Sequence, residues 1–305
     1  MRKGRWIIVL VLLAGMGMNL HAQVGEQKRL LLGWEFYKSD LAHPWEALRT
    51  GRPAELPVWE PVDLPHCYNA SDGVDPDVAY YQGPAWYRNY LPIKNPFEGG
   101  RTLLHFEGAG QKTRVYVAEF LAGEHTGGYD EFTIDLTESL GLFHEKYPPE
   151  QFEGKVPILI RVDNSRDREM IPSDLSDFNL YGGIYRYLNL IYHPPVSISQ
   201  LHLKSELNKS MNKADVQVST RLYNPDQLKG EVVLNLEVKS PSGALVYSRE
   251  FSHALTEGEM ATHSFQIREP ILWSTHAPDL YTVILRCSLG EQVSVLELSL
   301  IHISE

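Results

Sequence analysis

Val156-Pro157-Ile158-Leu159-Ile160-Arg161-Val162-Asp163 is the stretch that decides the fold. Val156, Ile158, Ile160 and Val162 alternate with Pro157, Leu159, Arg161 and Asp163. Side chains of a β-strand point to opposite faces in turn, so a period of two marks a strand with one face on a core. The same period recurs along the chain. Val216, Val218, Thr220 and Leu222 keep it, as do Val232, Leu234, Leu236 and Val238, and then Tyr281, Val283, Leu285 and Cys287. Asn224-Pro225-Asp226, Ser240-Pro241-Ser242-Gly243 and Glu257-Gly258 punctuate these runs with turn-forming residues. Helical periodicity is nearly absent. Short strands at such spacing predict an all-β chain built of antiparallel sandwiches.

His193-Pro194-Pro195 is expected to end one strand system and stiffen a short connector. The organisation predicted is therefore a first domain over residues 26–193 and a second over 194–305. The second has the size of an immunoglobulin-like sandwich. Ahead of both, Arg2, Lys3 and Arg5 precede an apolar run from Trp6 to Met18, and Leu20-His21-Ala22 offers a cleavage site before Gln23. That is the pattern of a signal peptide over residues 1–22. It predicts export to the periplasm or the medium, with no membrane attachment once the leader is removed.

The net charge is −11, and loss of the three leader cations takes it to −14. An acidic chain argues against nucleic acid as a partner. Cys67 and Cys287 are too few and too far apart for a disulfide framework. No Cys/His pair has zinc spacing, and no cofactor is expected.

Asp177-Phe178-Asn179-Leu180-Tyr181-Gly182-Gly183-Ile184-Tyr185-Arg186 is the stretch richest in site chemistry. A carboxylate accepts hydrogen bonds from vicinal hydroxyls, and an aromatic face packs on the C–H side of a pyranose. The paired glycines allow a tight backbone path. Other short runs accompany it in order: Gly33-Trp34-Glu35-Phe36, Val62-Asp63-Leu64-Pro65-His66, Tyr80 to Arg88, Leu104 to Gly108, Gly123 to Phe132, and Arg161 to Ser165. In this order the set resembles the amino-terminal sugar-binding domain of glycoside hydrolase family 2. Pro270-Ile271-Leu272-Trp273-Ser274 and Pro278-Asp279-Leu280-Tyr281 resemble the second, immunoglobulin-like domain of that family.

The resemblance implies a jelly-roll, galactose-binding-like sandwich followed by an immunoglobulin-like one. It implies a parent β-galactosidase acting on terminal β-linked sugars, with β-glucuronidase or β-mannosidase as alternative activities. A free-standing carbohydrate-binding or structural module without catalysis is the alternative of another class. Substrate contacts are expected at Asp177, Asn179, Tyr181 and Asn69. Asp72 is read as a turn residue, Arg186 as an ion-pair partner, and His66 and His125 as hydrogen-bonded structural residues. Trp34, Trp86 and Trp273 are expected in the core.

Family 2 enzymes carry their two catalytic carboxylates on a (β/α)8 barrel, which takes about 250 residues. The family's acid/base glutamate follows an asparagine, and no Asn-Glu pair occurs in this sequence. No catalytic residue is therefore assigned. The partners expected are a β-linked glycoside and a barrel domain continuing the same polypeptide. Residues 299–305, ending Ile301-His302-Ile303-Ser304-Glu305, match no family ending and are expected to be foreign to a truncated gene. One departure concerns a hairpin. Where the family carries Asn-Gly, this chain has Ala118-Glu119, which predicts a longer or distorted turn.

Overall fold

A computed structural model describes residues 26–49, 56–75, 77–173, 178–257 and 260–301. The predicted leader lies outside the described residues, as do Asp177 and residues 302–305.

In chain order the strands are β1 (Glu26–Arg29), β2 (Trp34–Tyr37), β3 (Glu60–Val62), β4 (His66–Cys67), β5 (Pro84–Leu91), β6 (Arg101–Phe106), β7 (Lys112–Val117), β8 (Phe120–Thr126) and β9 (Phe132–Asp135). Helix α1 (Thr137–Lys146) follows, then β10 (Val156–Asp163), β11 (Gly183–Ile184) and β12 (Leu188–His193). The remaining strands are β13 (Ser197–Leu207), β14 (Lys213–Tyr223), β15 (Glu231–Lys239), β16 (Leu245–Ala254), β17 (Met260–Arg268), β18 (Tyr281–Leu289) and β19 (Gln292–Ile301).

The fold is all-β, as the alternation predicts. A four-stranded sheet, β1-β12-β6-β9, faces a six-stranded one, β3-β2-β5-β10-β7-β8. Between them lies a core that includes Trp34, Tyr87, Phe106, Leu104, Ile158 and Ile160. The later strands form sheets β13-β14-β17 and β16-β15-β18-β19. This is a seven-stranded immunoglobulin-like sandwich, closed over Val216, Val218, Val232, Leu234, Leu236 and Leu285. Every strand pair is antiparallel.

In β15 the reading is met residue by residue, with Val232, Leu234, Leu236 and Val238 all buried and their neighbours half-exposed or exposed. β10 is different. Ile158, Ile160 and Val162 face the main core, but Leu159 is equally buried on the opposite face, against Trp86, Leu41 and Ala47. β10 is an interior strand, between β5 and β7, and the Pro44–Leu48 segment covers its back. A strand covered on both faces loses its alternation.

Trp34 and Trp86 are buried as expected, whereas Trp273 is only half-buried. The two cysteines are free, Cys287 within the second core and Cys67 half-buried on β4. Helix α1 was not expected. It packs Leu140 and Phe143 onto the first core, and the Asp135 carboxylate accepts the Thr137 N–H at its start (2.9 Å).

Candidate functional site

The loop between β10 and β12 carries the predicted sugar-contacting run, and buried amides hold it from beneath. Asn69, fully buried, lies just beyond β4. Its Oδ1 accepts the Gly182 N–H (2.8 Å), and its Nδ2 donates to the Leu180 carbonyl (2.9 Å) and to Asn179 Oδ1 (3.1 Å). Asn164, also fully buried, follows β10 directly. Its Nδ2 donates to the Leu180 and Tyr81 carbonyls (2.7 and 2.9 Å), while its Oδ1 accepts the Gly83 N–H (2.9 Å). Two side chains thus tie together segments far apart in sequence. Each satisfies backbone groups that would otherwise be costly to bury. Arg166 donates to the Phe178 carbonyl (3.2 Å) and holds the other end of the loop.

The paired glycines are required by close approach. A Cβ on Gly182 would overlap the Tyr68 ring. Gly183, at φ +124°, pairs with Cys67 across the short β4–β11 ladder, where a Cβ would overlap the His66 carbonyl. Only glycine lets the loop lie this close to β4. On the other side the Gly110 N–H donates to the Gly183 carbonyl (2.9 Å).

What this foundation presents outward is aromatic. Phe178 and Tyr181 are each 51% exposed, and Tyr129 on the neighbouring 127–131 loop is 68% exposed. Burial, and after it the nearness of Tyr129, pushes the Tyr185 phenol up to about 12. Flat apolar rings beside polar backbone suit the C–H faces and hydroxyls of a sugar.

The predicted site residues therefore separate by place. Tyr181 is exposed on the loop. Asn179 is half-buried, its amide turned back to Asn69, with Nδ2 donating to the Asn69 carbonyl at 3.4 Å. Asn69 sits beneath the loop with its hydrogen-bonding capacity used within the protein, so it positions the loop from inside. Asp177 directly precedes the described Phe178. Asn164 carries as much of the loop as Asn69 and was given no role in the sequence reading, although it stands one residue past a strand end in the Arg161 to Ser165 run that carries the resemblance.

The flanking residues also have defined places. Asp72 lies in a turn, as read, with its N–H bonded to the Asn69 carbonyl (3.3 Å), and its carboxylate also accepts the Tyr81 N–H (2.8 Å), a link across the loop. His66 Nδ1 pairs with the Tyr87 hydroxyl (2.8 Å), and burial lowers its pKa. His125 stacks on Phe132 and reaches Asp130 (3.2 Å). Arg186 makes no ion pair among the described residues; its stem lies along Gly108. Among the described residues no cluster of His, Cys, Asp and Glu is arranged to hold a metal ion.

Comparison with known proteins gives a consistent result. The family model described as Glycosyl hydrolases family 2 matches residues 196–297. A Formosa agariphila protein provisionally named a β-glucuronidase is 35% identical over 239 residues, which cover 78% of this chain and 27% of that protein. The β-galactosidase of Thermoanaerobacter pseudethanolicus is 27% identical over 234 residues, 75% of this chain and 29% of its own length. The crystal structure of Parabacteroides merdae β-glucuronidase superposes with a TM-score of 0.83 at 44% identity, covering 90% of this chain and 35% of that one. This chain thus spans about a third or less of the length of these relatives.

Proposed function

This chain belongs to the glycosyl hydrolases of family 2, and we propose that it is the sugar-facing amino-terminal portion of a β-glycosidase. The observation that carries the reading is the 178–182 loop, pinned from below by Asn69 and Asn164 and exposing Phe178 and Tyr181. In this reading Asp177, Asn179 and Tyr181 form one wall of the substrate pocket, with Asn69 holding that wall in place. The proteins sharing 44% and 35% identity are named β-glucuronidases, and the β-galactosidase above shares 27%. That order favours a β-glucuronide over the β-galactoside expected from sequence alone.

The catalytic carboxylates belong, in this proposal, to a barrel outside these 305 residues, so the chain by itself turns over no glycoside. Cleavage of an aryl β-glucuronide by the pure chain at the rate of an intact enzyme would overturn that part. The main test expresses the whole reading frame containing this chain and assays aryl β-D-glucuronide and β-D-galactoside. Asp177→Ala and Tyr181→Ala are each expected to lower kcat/KM by about 10–100-fold, which is about 1.4–2.8 kcal/mol of transition-state binding. Unchanged kcat/KM in both variants would remove the loop from the substrate site. Export by the 1–22 leader is part of the same proposal, and the exported product should begin at Gln23.

A further inference from the structure

A second concave site lies away from the 178–182 loop, where the two sandwiches meet. It is a cavity of about 250 Å³ with Leu103, Ile191 and Ile198 on its apolar wall and Thr133, His193 and Ser197 among its polar lining. Ser197 Oγ and His193 Nδ1 are both buried, and neither has a hydrogen-bond partner among the described residues. Two unpaired buried polar groups at one cavity are costly, since a buried donor or acceptor nearly always has a partner.

The charges at the cavity are already neutralised. Asp135 accepts from the Tyr223 hydroxyl (2.6 Å), Arg101 Nε (2.9 Å) and the Thr137 N–H (2.9 Å). Arg101 also reaches Asp226 (3.1 Å), so its charge is shared between two carboxylates. Burial lowers the His193 pKa below its usual value, which keeps the ring uncharged at neutral pH. A lining with an apolar wall, two free hydrogen-bonding atoms and no spare charge selects a neutral, polyhydroxylated guest. The volume falls just below the range of about 300–1,000 Å³ typical of drug-sized ligands, which limits the guest to about one sugar ring.

We propose that this junction cavity binds a small neutral polyol or a single neutral sugar ring, with guest hydroxyls bonded to Ser197 and His193. Both residues line the cavity, and both of these atoms are closed to solvent. A serine hydroxyl moves between staggered rotamers readily, so Ser197 can turn to meet a guest. The site is independent of the proposed substrate loop and differs from it in charge preference, because no cation is left to pair with a sugar acid.

The test is methyl NMR on the chain, following Leu103, Ile191 and Ile198 during titration with glycerol, D-galactose, D-glucose and D-glucuronate. Saturable shifts confined to these methyls are expected with the neutral compounds, with Kd on the order of 1–10 mM. Glucuronate should bind at least about tenfold more weakly, and Ser197→Ala should weaken neutral binding by a similar factor. Thr133 is exposed at the cavity, so Thr133→Trp should block the shifts while the remaining methyl spectrum shows an intact fold. No saturable shift with any neutral compound, equal binding of glucuronate, or shifts that persist in Thr133→Trp would each overturn the proposal. A high-resolution structure in saturating galactose that shows only bridging water at Ser197 and His193 would do the same.

Discussion

At the scale of single residues, the 178–182 loop separates two kinds of polar group that a sequence presents alike. Asn69 is fully buried and spends its amide on Gly182, Leu180 and Asn179. Asn69→Ala would leave the buried Gly182 N–H without its partner and take one of two donors from the Leu180 carbonyl, which keeps Asn164, an expected loss of about 1–3 kcal/mol. Tyr181, half in water, should tolerate Ala within about 0.5 kcal/mol, while costing, in the proposed reading, a sugar contact. Urea denaturation of both variants of the chain decides the matter; a Tyr181→Ala loss larger than that of Asn69→Ala would reverse the two roles. This contrast also marks how far the site was legible. Both residues stand in polar, turn-rich runs, and both were read as sugar contacts. What distinguishes them is a set of hydrogen bonds spanning 110 to 113 positions, which no local pattern encodes. Asn164 was passed over for the same reason. The glycines were legible as necessary, but the reason found here, the Tyr68 ring and the His66 carbonyl lying where a Cβ would go, depends on packing between distant segments.

At the scale of elements, the strands of the second sandwich were legible because each has one wet face, and burial follows the sequence alternation through β14 and β15. The opposite holds for α1, where Leu140 and Phe143, with Leu136 just before the helix, are the buried apolar residues. Three apolar positions at i, i+4 and i+7 are a thin helical signal, and tertiary packing supplies the rest. The β7–β8 hairpin is instructive because the chain lacks its expected turn residues. The turn is not lengthened, since Val117 pairs with Phe120 across just Ala118 and Glu119. The distortion is a left-handed Ala118, at φ +52°, together with a register shift at Val115 and Tyr116. Glu119 then braces the turn against the end of α1, accepting from the Tyr147 hydroxyl (2.7 Å) and pairing with Lys146. Ala118→Gly should relieve about 1–2 kcal/mol of left-handed strain. Against this stand about 0.5–1 kcal/mol of chain entropy and about 0.8 kcal/mol for the buried methyl. The net expectation is stability within about 1 kcal/mol of the parent. Ala118→Val should lose more than about 2 kcal/mol, because a β-branched residue resists this conformation and overfills a closed site. A valine variant with the parent's denaturation midpoint would show that the turn is not left-handed.

At the scale of the whole molecule, the two sandwiches are joined by a small polar clasp. Arg101, at the start of β6, bonds Asp135 in its own unit (2.8 Å) and Asp226 in the other (3.1 Å). Tyr223 donates across the junction to Asp135 (2.6 Å), and Gln292 donates to the Glu98 carbonyl (3.1 Å). Burial alone would raise the Asp135 pKa, but hydrogen bonds from Thr137, Tyr223 and Arg101 outweigh it and hold the carboxyl below its usual 3.8. The sign follows from proton counts. The unfolded Asp135 binds a proton more readily than the folded one, so its contribution is fully present above about pH 5 and is lost as the pH falls through the depressed folded value. Asp135→Asn should therefore cost about 1–3 kcal/mol near pH 7 and show a shallower loss of stability below pH 4 than the parent. Asp40 and Glu119 are also held low, by Arg161 and Trp86 and by Lys146 and Tyr147 respectively, after burial has acted the other way. They keep part of the acid sensitivity, so the variant's slope should fall by roughly one group's share and not vanish. Asp226→Asn removes only the exposed half of the clasp and should cost less than about 1 kcal/mol. Thermal unfolding of the three proteins between pH 3 and pH 7 tests both statements. If Asp135→Asn followed the parent's pH slope unchanged, the carboxylate would not be charged and clasped in the folded protein, and the polar part of the junction would rest on Asp226 and Gln292.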